Sequence, residues 1–147
     1  MPHTIKSFLE LIEQGIYVDG TLMLAKSHII LVGPVDYHDD ENNERLENRL
    51  VNYSYSDGIL MLNEYTSEYP HLKGTIGFTS SQAGPVFYIN TVDNIANHEE
   101  LKDPCFGRFI TGFDLIERIA HMPKTEADGI FELPIYVVKA EVVHMEV

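Results

Sequence analysis

The sequence predicts a mainly β protein with two helices, organised as a single domain over residues 1–147. Several short runs are rich in β-branched and aromatic residues and are bounded by glycine or proline, which is typical of strands. Two other stretches repeat their apolar residues at helical spacing. The chain has 147 residues, of which 44% are hydrophobic. That is the length of one domain, with enough apolar side chains for one core.

The first predicted helix lies between Thr4 and Gly15. Thr4 is a candidate N-cap, and Gly15 is a natural stop because glycine readily adopts the left-handed conformation after a helix. The apolar stripe that predicts the helix consists of Ile5, Phe8, Leu9 and Ile12. A strand over Thr21–Leu24 follows the helix.

The middle segment, residues 36–73, is interpreted as a divergent insert. It contains an acidic run, Asp39–Glu44, which we interpret as a solvated loop or the start of a helix. Further on, Leu50–Tyr55 and Ile59–Leu62 flank the turn sequence Ser-Asp-Gly, so these two runs predict a β-hairpin.

The second half of the chain alternates strands with one helix. The predicted strands are Thr75–Phe78, Val86–Thr91 and Cys105–Ile110. Helical spacing then predicts a helix over residues 113–120, which Pro123 stops. The last stretch, Ile135–Val147, is almost continuously apolar and predicts a long central strand that closes the sheet.

Three motifs in this half stand in a recognisable order. They are Phe-Tyr-Ile-Asn-Thr at 87–91, Cys-Phe-Gly-Arg at 105–108 and Gly-Phe-Asp-Leu-Ile at 112–116. Their order and spacing resemble the second half of a cyclophilin, a peptidyl-prolyl cis-trans isomerase. The resemblance implies an antiparallel β-barrel. It also implies an N-terminal truncation, because only Met1–His3 precede the first helix, where the family has two strands.

The resemblance places the family's catalytic arginine on Ala25 and its catalytic-face glutamine on Val86. A permanently charged, planar guanidinium donor is not replaced by a methyl group. Lys26 is a possible substitute, but a slip of one residue would send its side chain to the opposite face of the strand. We therefore expect these positions to be degenerate and the chain to carry no catalytic residues of its own.

The resemblance also implies a substrate pocket. Its residues would be Ile30, Leu31, Thr79, Ser80, Ser81, Tyr88, Leu101 and Asp103. The chain has no tryptophan, so the tryptophan typical of cyclosporin-binding members is absent. An apolar lining is retained in kind while the polar chemistry is lost, which is the pattern of a binding pocket without its catalyst.

Charge and composition limit the partners. The formal net charge is −13, with only ten Lys and Arg residues, which argues against nucleic acid and favours a neutral or basic partner surface. No apolar run is long enough to span a bilayer, and no targeting signal is visible, so we expect a soluble protein of the cytoplasm or an organelle interior. The seven histidines lack an i,i+4 pair, so a zinc site, and with it a metal site, is not expected. No cofactor is expected either. Cys105 is interpreted as a buried structural residue.

Three functions remain open. The favoured one is a non-catalytic or weakly active cyclophilin-like protein, which binds a protein or proline-containing peptide as a homo-oligomer or as a subunit of a larger assembly. The second is an active isomerase whose missing arginine is supplied by Lys26, Arg45 or Arg49. The third is an unrelated β-rich domain such as a small-ligand barrel, against which the order of the three motifs argues.

Overall fold

The structure is a computed structural model that describes residues 1–25, 28–52, 64–79, 85–125 and 129–144. These residues form four helices, namely α1 (Pro2–Glu13), α2 (Asp40–Asn52), α3 (Ile95–Leu101) and α4 (Phe113–Ala120). They also form five strands, namely β1 (Leu22–Ala25), β2 (Ile29–Val32), β3 (Thr75–Phe78), β4 (Phe87–Asn90) and β5 (Cys105–Arg108). In the described ranges, none of the helices is long and apolar enough to cross a membrane.

The five strands form one antiparallel sheet in the order β1-β2-β4-β3-β5. In its centre, Ile30 lies opposite Ile89, and Leu31 lies opposite Tyr88. Successive side chains of a strand point to opposite faces. One face of the sheet therefore carries Ile30 and Ile89, and the other carries Leu31 and Tyr88.

The Ile30 face holds the hydrophobic core, which has two parts. The first part packs α4 against the sheet through Leu22, Ile30, Val32, Ile89, Ile116 and Phe131. The second part packs α1 against the sheet through Leu11, Ile16, Tyr17 and Phe78, with Phe8 and Phe106 beside them. Phe87 contacts both parts, so the core is continuous across β4.

Both predicted helices, α1 and α4, are present. Helix α1 begins at Pro2 rather than after Thr4, because proline suits the first turn, where no N–H partner is required. Thr4 is not the N-cap: inside the helix, its N–H and hydroxyl donate to Glu64 Oε2 at 2.8 and 3.0 Å. At the other end, Gly15 has a φ of +68° just beyond the helix, as its position predicts.

Helix α2 was not predicted as a helix along its full length. The acidic run starts it: Asp39 Oδ1 accepts the N–H groups of Glu41 and Asn42 at 3.0 and 3.2 Å, which is N-capping. The helix then continues to Asn52 and buries Leu46 completely. The predicted strand Leu50–Tyr55 is therefore wrong over residues 50–52. The rest of that hairpin lies outside the described residues.

The long central strand predicted at Ile135–Val147 is also wrong where the structure describes it. Residues 135–137 run beside residues 19–22, with a single antiparallel bridge between Thr21 and Tyr136. The partner stretch, residues 19–22, comes directly after the turn that follows α1, so it offers few residues for pairing. Pairing therefore lasts only a few residues, and the segment lies beside β1 at the edge of the sheet. Beyond it, Val138 is 84% exposed.

Candidate functional site

The face of the sheet opposite the core is centred on Tyr88, which is fully buried. Gly77 on β3 lies directly opposite it. A Cβ atom at position 77 would stand 2.7 Å from Cζ and the hydroxyl of Tyr88 and 2.9 Å from Cε1 of His71. Such distances are shorter than van der Waals contact, so the ring of Tyr88 occupies this place because residue 77 has no side chain.

Four further polar side chains surround Tyr88. Together with it they form a group that we call the buried polar cluster, consisting of His71, Tyr88, Asn90, His98 and Asp103. Strand β4 supplies Tyr88 and Asn90, the segment before β3 supplies His71, and α3 and the loop after it supply His98 and Asp103. Each member is at most 4% exposed. Burial of so many polar groups is tolerated only when they bond to one another.

The carboxylate of Asp103 is the main acceptor of the cluster. The hydroxyl of Tyr88 donates to Asp103 Oδ2 at 3.0 Å, and Nδ1 of His98 lies 2.8 Å from the same oxygen. Because an ionised carboxylate can only accept, Nδ1 of His98 carries the proton in this contact. The rings of Tyr88 and His98 are stacked with their centroids 4.5 Å apart. Asp103 thus holds both side chains in place.

His71 completes the network from the other side. Its Nε2 lies 3.0 Å from the backbone carbonyl of Asp103, so Nε2 is the protonated nitrogen. Its Nδ1 is left to accept from Asn90 Nδ2, 3.4 Å away. Tyr88 Oη also lies 3.4 Å from this nitrogen, but its single proton is donated to Asp103. Burial is the main cause that lowers the pKa of His71, so this ring is neutral near neutral pH.

Burial also raises the pKa of Tyr88, with the charge of Asp103 and their hydrogen bond adding to the effect. The phenol therefore stays protonated and continues to donate to Asp103. Nearby, burial raises the pKa of Cys105, and its thiol donates to the carbonyl of Pro70 at 3.6 Å. This agrees with a structural rather than a nucleophilic cysteine.

An Asp–His–Tyr group contains the side chains of acid–base catalysis, but a substrate must be able to reach them. Here Tyr88, His98 and Asp103 are covered, and their protons are used within the cluster. Within the described ranges, no three His, Cys, Asp or Glu side chains are arranged to hold a metal ion. The arrangement is therefore suited to holding β4, α3 and the segment before β3 together.

The structure brings together some of the predicted pocket residues. Tyr88 and Asp103 are hydrogen-bonded, and Leu31 lies beside Tyr88 on the neighbouring strand. Ile30 does not join them, because the strand alternation places it in the core on the opposite face. Leu101 lies at the end of α3 and is 54% exposed.

The remaining predicted positions lie around the ends of β1 and β4. Val86 is buried just before β4, and its carbonyl accepts from the hydroxyl of Thr79 at 3.5 Å. Ala25 ends β1 opposite Ile29. The side chain of Ala25 and all of Lys26, Ser80 and Ser81 lie outside the described residues.

Sequence reasoning missed His71, Asn90 and His98. One signal was available for Asn90, since it follows Tyr88 by two positions in a strand and must share its face. No comparable signal existed for the two histidines, which come from separate segments 27 positions apart in the chain (98 minus 71). Only the fold brings their rings to a centroid distance of 4.6 Å.

Two cavities lined by described residues lie away from the buried polar cluster, and a smaller one, of about 80 Å³, is lined by His71 of that cluster together with Ile95 and residues 65–67 and 69–70. One, of about 440 Å³, is a groove between α1, β5 and residues 68–72, with Ile5, Tyr69, Leu72 and Phe106 among its lining. The other, of about 600 Å³, is lined mainly by acidic side chains near Tyr136 and Val138. Neither is lined by Tyr88, His98 or Asp103, so the buried polar cluster does not open into either of them.

Comparison with known proteins gives the same fold. Two crystal structures of a cyclophilin type peptidyl-prolyl cis-trans isomerase from Cryptosporidium parvum are similar to this chain. The one determined in the presence of the dipeptide Ala-Pro has a TM-score of 0.67 and 19% identity, covering 99% of this chain and 87% of that one. The other has a TM-score of 0.71 and 18% identity, covering 99% and 86%.

These similarities confirm the predicted cyclophilin-like fold. A search of the curated proteins finds no match. The family model described as cyclophilin type peptidyl-prolyl cis-trans isomerase/CLD matches residues 1–142, which is nearly the whole chain. The chain therefore belongs to the cyclophilin-type peptidyl-prolyl cis-trans isomerase family.

Proposed function

We propose that this chain is a cyclophilin-type protein with little or no isomerase activity, which acts by binding a protein segment as one part of a larger assembly. The observation that carries the proposal is the buried hydrogen bond between Tyr88 and Asp103. Both residues fall on pocket positions in the resemblance to cyclophilins. In this chain they bind each other instead of facing solvent.

The position of the catalytic arginine supports the same proposal. It falls on Ala25, which has no hydrogen-bond donor in its side chain. Arg45, one of the possible substitutes, is engaged on α2: its guanidinium contacts Asn42 and forms an ion pair with Asp19 at 3.2 Å. Neither contact is with the buried polar cluster. A proline-containing peptide bound in this site would therefore find no charged donor beside the carbonyl of its Xaa-Pro bond, either from Ala25 or from Arg45.

A coupled isomerase assay on an Xaa-Pro peptide tests the proposal. Losing one transition-state donor typically lowers the rate by about 10²–10³-fold, so we expect a kcat/KM at least that far below an active cyclophilin assayed in parallel. Comparable activity would overturn the proposal. In that case Lys26→Ala and Arg49→Ala would identify the substitute cation by whichever variant loses the activity.

A further inference from the structure

The segment at residues 135–138 has one edge of its backbone bonded and the other open. Val137 donates its N–H to Gly20 and accepts from Asp19, both at 2.9 Å, and Ile135 accepts from Leu22 at 3.0 Å. In an extended chain the N–H and C=O groups of successive residues point to opposite sides. Those of Tyr136 and Val138 therefore point outward, and none of them has a backbone partner within the described part of the chain.

The side chains of the same two residues are exposed. Ile135 and Val137 pack into the core, whereas Tyr136 and Val138, on the other face, are 42% and 84% exposed. An open row of backbone donors and acceptors flanked by exposed apolar side chains is a template on which an extended peptide can add as a strand.

The surroundings of this edge determine the chemistry of the strand that fits it. Tyr136 and Val138 line the cavity of about 600 Å³, whose charged lining is Asp19, Asp36, Asp39, Glu41 and Arg45. Arg45 is paired with Asp19, and the buried Asp36 accepts from the N–H of His38 and the amide of Asn42. The carboxylates of Asp39 and Glu41 are exposed and have no opposing cation in the lining. An added strand would carry alternate side chains on this face, beside Tyr136 and over these carboxylates.

We propose that residues 135–138 form a docking edge for an extended segment of a partner protein in which Lys or Arg alternates with apolar residues. The partner strand bonds to the backbone of Tyr136 and Val138 and places its cations in the acidic cavity. This inference rests on the proposed protein-binding function and names its surface and partner chemistry. A second copy of this chain fits less well, because both copies would carry a net charge of −13 and a self-complementary pairing would oppose two acidic cavities.

The direct probe is a capped hexapeptide that alternates Val and Lys, added to the full ¹⁵N-labelled chain while amide hydrogen exchange is followed by NMR. The amides of Tyr136 and Val138 exchange fast in the free protein and become protected when the peptide binds. The amide of Val137, already bonded to Gly20, is the internal control. A peptide with Glu in place of Lys leaves all three unchanged, and added salt weakens the binding of the Lys peptide.

Two matched sets of variants separate the contributions of charge and backbone. Asp39→Asn with Glu41→Gln weakens binding by roughly three- to tenfold, the range expected for exposed ion pairs. Glu10→Gln with Glu13→Gln removes the same charge from α1 and leaves the affinity unchanged. Val138→Pro removes one outward N–H and abolishes binding of the peptide, whereas Val138→Ala keeps that N–H and still binds the peptide.

Three results would overturn the inference. The first is that millimolar peptide protects neither amide. The second is that the protection appears instead in the groove at Ile5 and Leu72. The third is that Tyr136 and Val138 are already protected without peptide and light scattering shows the chain to be a dimer. The last would assign the edge to a second copy. Full activity in the isomerase assay would contradict the proposed loss of catalysis and would leave the exchange result at Tyr136 and Val138 unaffected, so the two failures are distinguishable.

Discussion

The side chains of Asp103, His98 and Tyr88 are chemically able to exchange protons, but their burial assigns them a different role. Each depends on the others for a hydrogen bond. Removing one partner from such a buried group leaves a polar atom unsatisfied, which costs more than the bond itself contributes. The cluster is therefore held together cooperatively. We expect a substitution in the cluster to lower the stability of the fold before it changes any activity.

At Gly77 the prediction is steric. Gly77→Ala would place a Cβ 2.7 Å from the ring of Tyr88 and should lower the free energy of unfolding by about 1–3 kcal/mol, the usual cost of overpacking. Urea denaturation measures this change. The matched control is Gly107→Ala on the adjacent strand, where the new Cβ would meet Ile76 at an ordinary 3.7 Å. Equal losses in the two variants would contradict this account.

At His71 the prediction concerns pH. Burial lowers the pKa of His71 in the folded state, whereas the unfolded chain binds a proton with a pKa of about 6.5. The unfolded state therefore binds more protons below that pH, and stability falls as pH decreases from 6.5 toward the lowered pKa. His71→Gln, which keeps a donor for the carbonyl of Asp103, should show a shallower decline in thermal midpoint. His121→Gln is the control for loss of an exposed histidine, and a decline in His71→Gln as steep as in the wild-type protein would refute the prediction.

At the scale of elements, the part that could be predicted from sequence is the part with strong local signals. Helices α1 and α4 have clear apolar periodicity, and β3 has turn residues at both ends. In contrast, the run from Leu50 favours a strand locally, yet it lies in α2 because the cap at Asp39 and the buried Leu46 commit the preceding turns to helix. Tertiary context overrides local propensity there.

The candidate site was predictable to a similar extent. Tyr88 and Asp103 were found through the family resemblance, but their partners His71 and His98 were not, because nothing local relates a loop histidine to one on α3. Which face of the sheet Ile30 and Leu31 each occupy depends on the register of β2 with β4. A one-residue uncertainty in that register exchanges the two faces.

The cap of α2 gives a prediction for this element. Asp39→Ala removes the side-chain acceptor for two helical N–H groups and should lower the free energy of unfolding by about 1 kcal/mol. Asp39→Asn retains the acceptor and should differ from the wild type by only a few tenths of a kcal/mol. Both are measured by urea denaturation. If the Ala and Asn variants proved equally stable, Asp39 would not be the cap.

At the scale of the whole molecule, the two faces of the sheet in this cyclophilin-like fold serve different purposes. One face packs α1 and α4, and the other holds the buried polar cluster. The open edge at residues 135–138 and the acidic cavity beside it lie away from that cluster. In this account, partner binding moves to the edge of the fold, and the pocket becomes part of the interior.

Exchange NMR of an Xaa-Pro peptide with the wild-type chain tests this account most directly, because it reports binding and cis–trans interconversion in one sample. Uncatalysed interconversion takes tens to hundreds of seconds. The account predicts no cis–trans exchange cross-peaks on the sub-second scale and no peptide-induced shifts at Leu31, Tyr88 or Asp103. Rapid exchange together with shifts at these residues would show that the cluster opens to substrate and would contradict it.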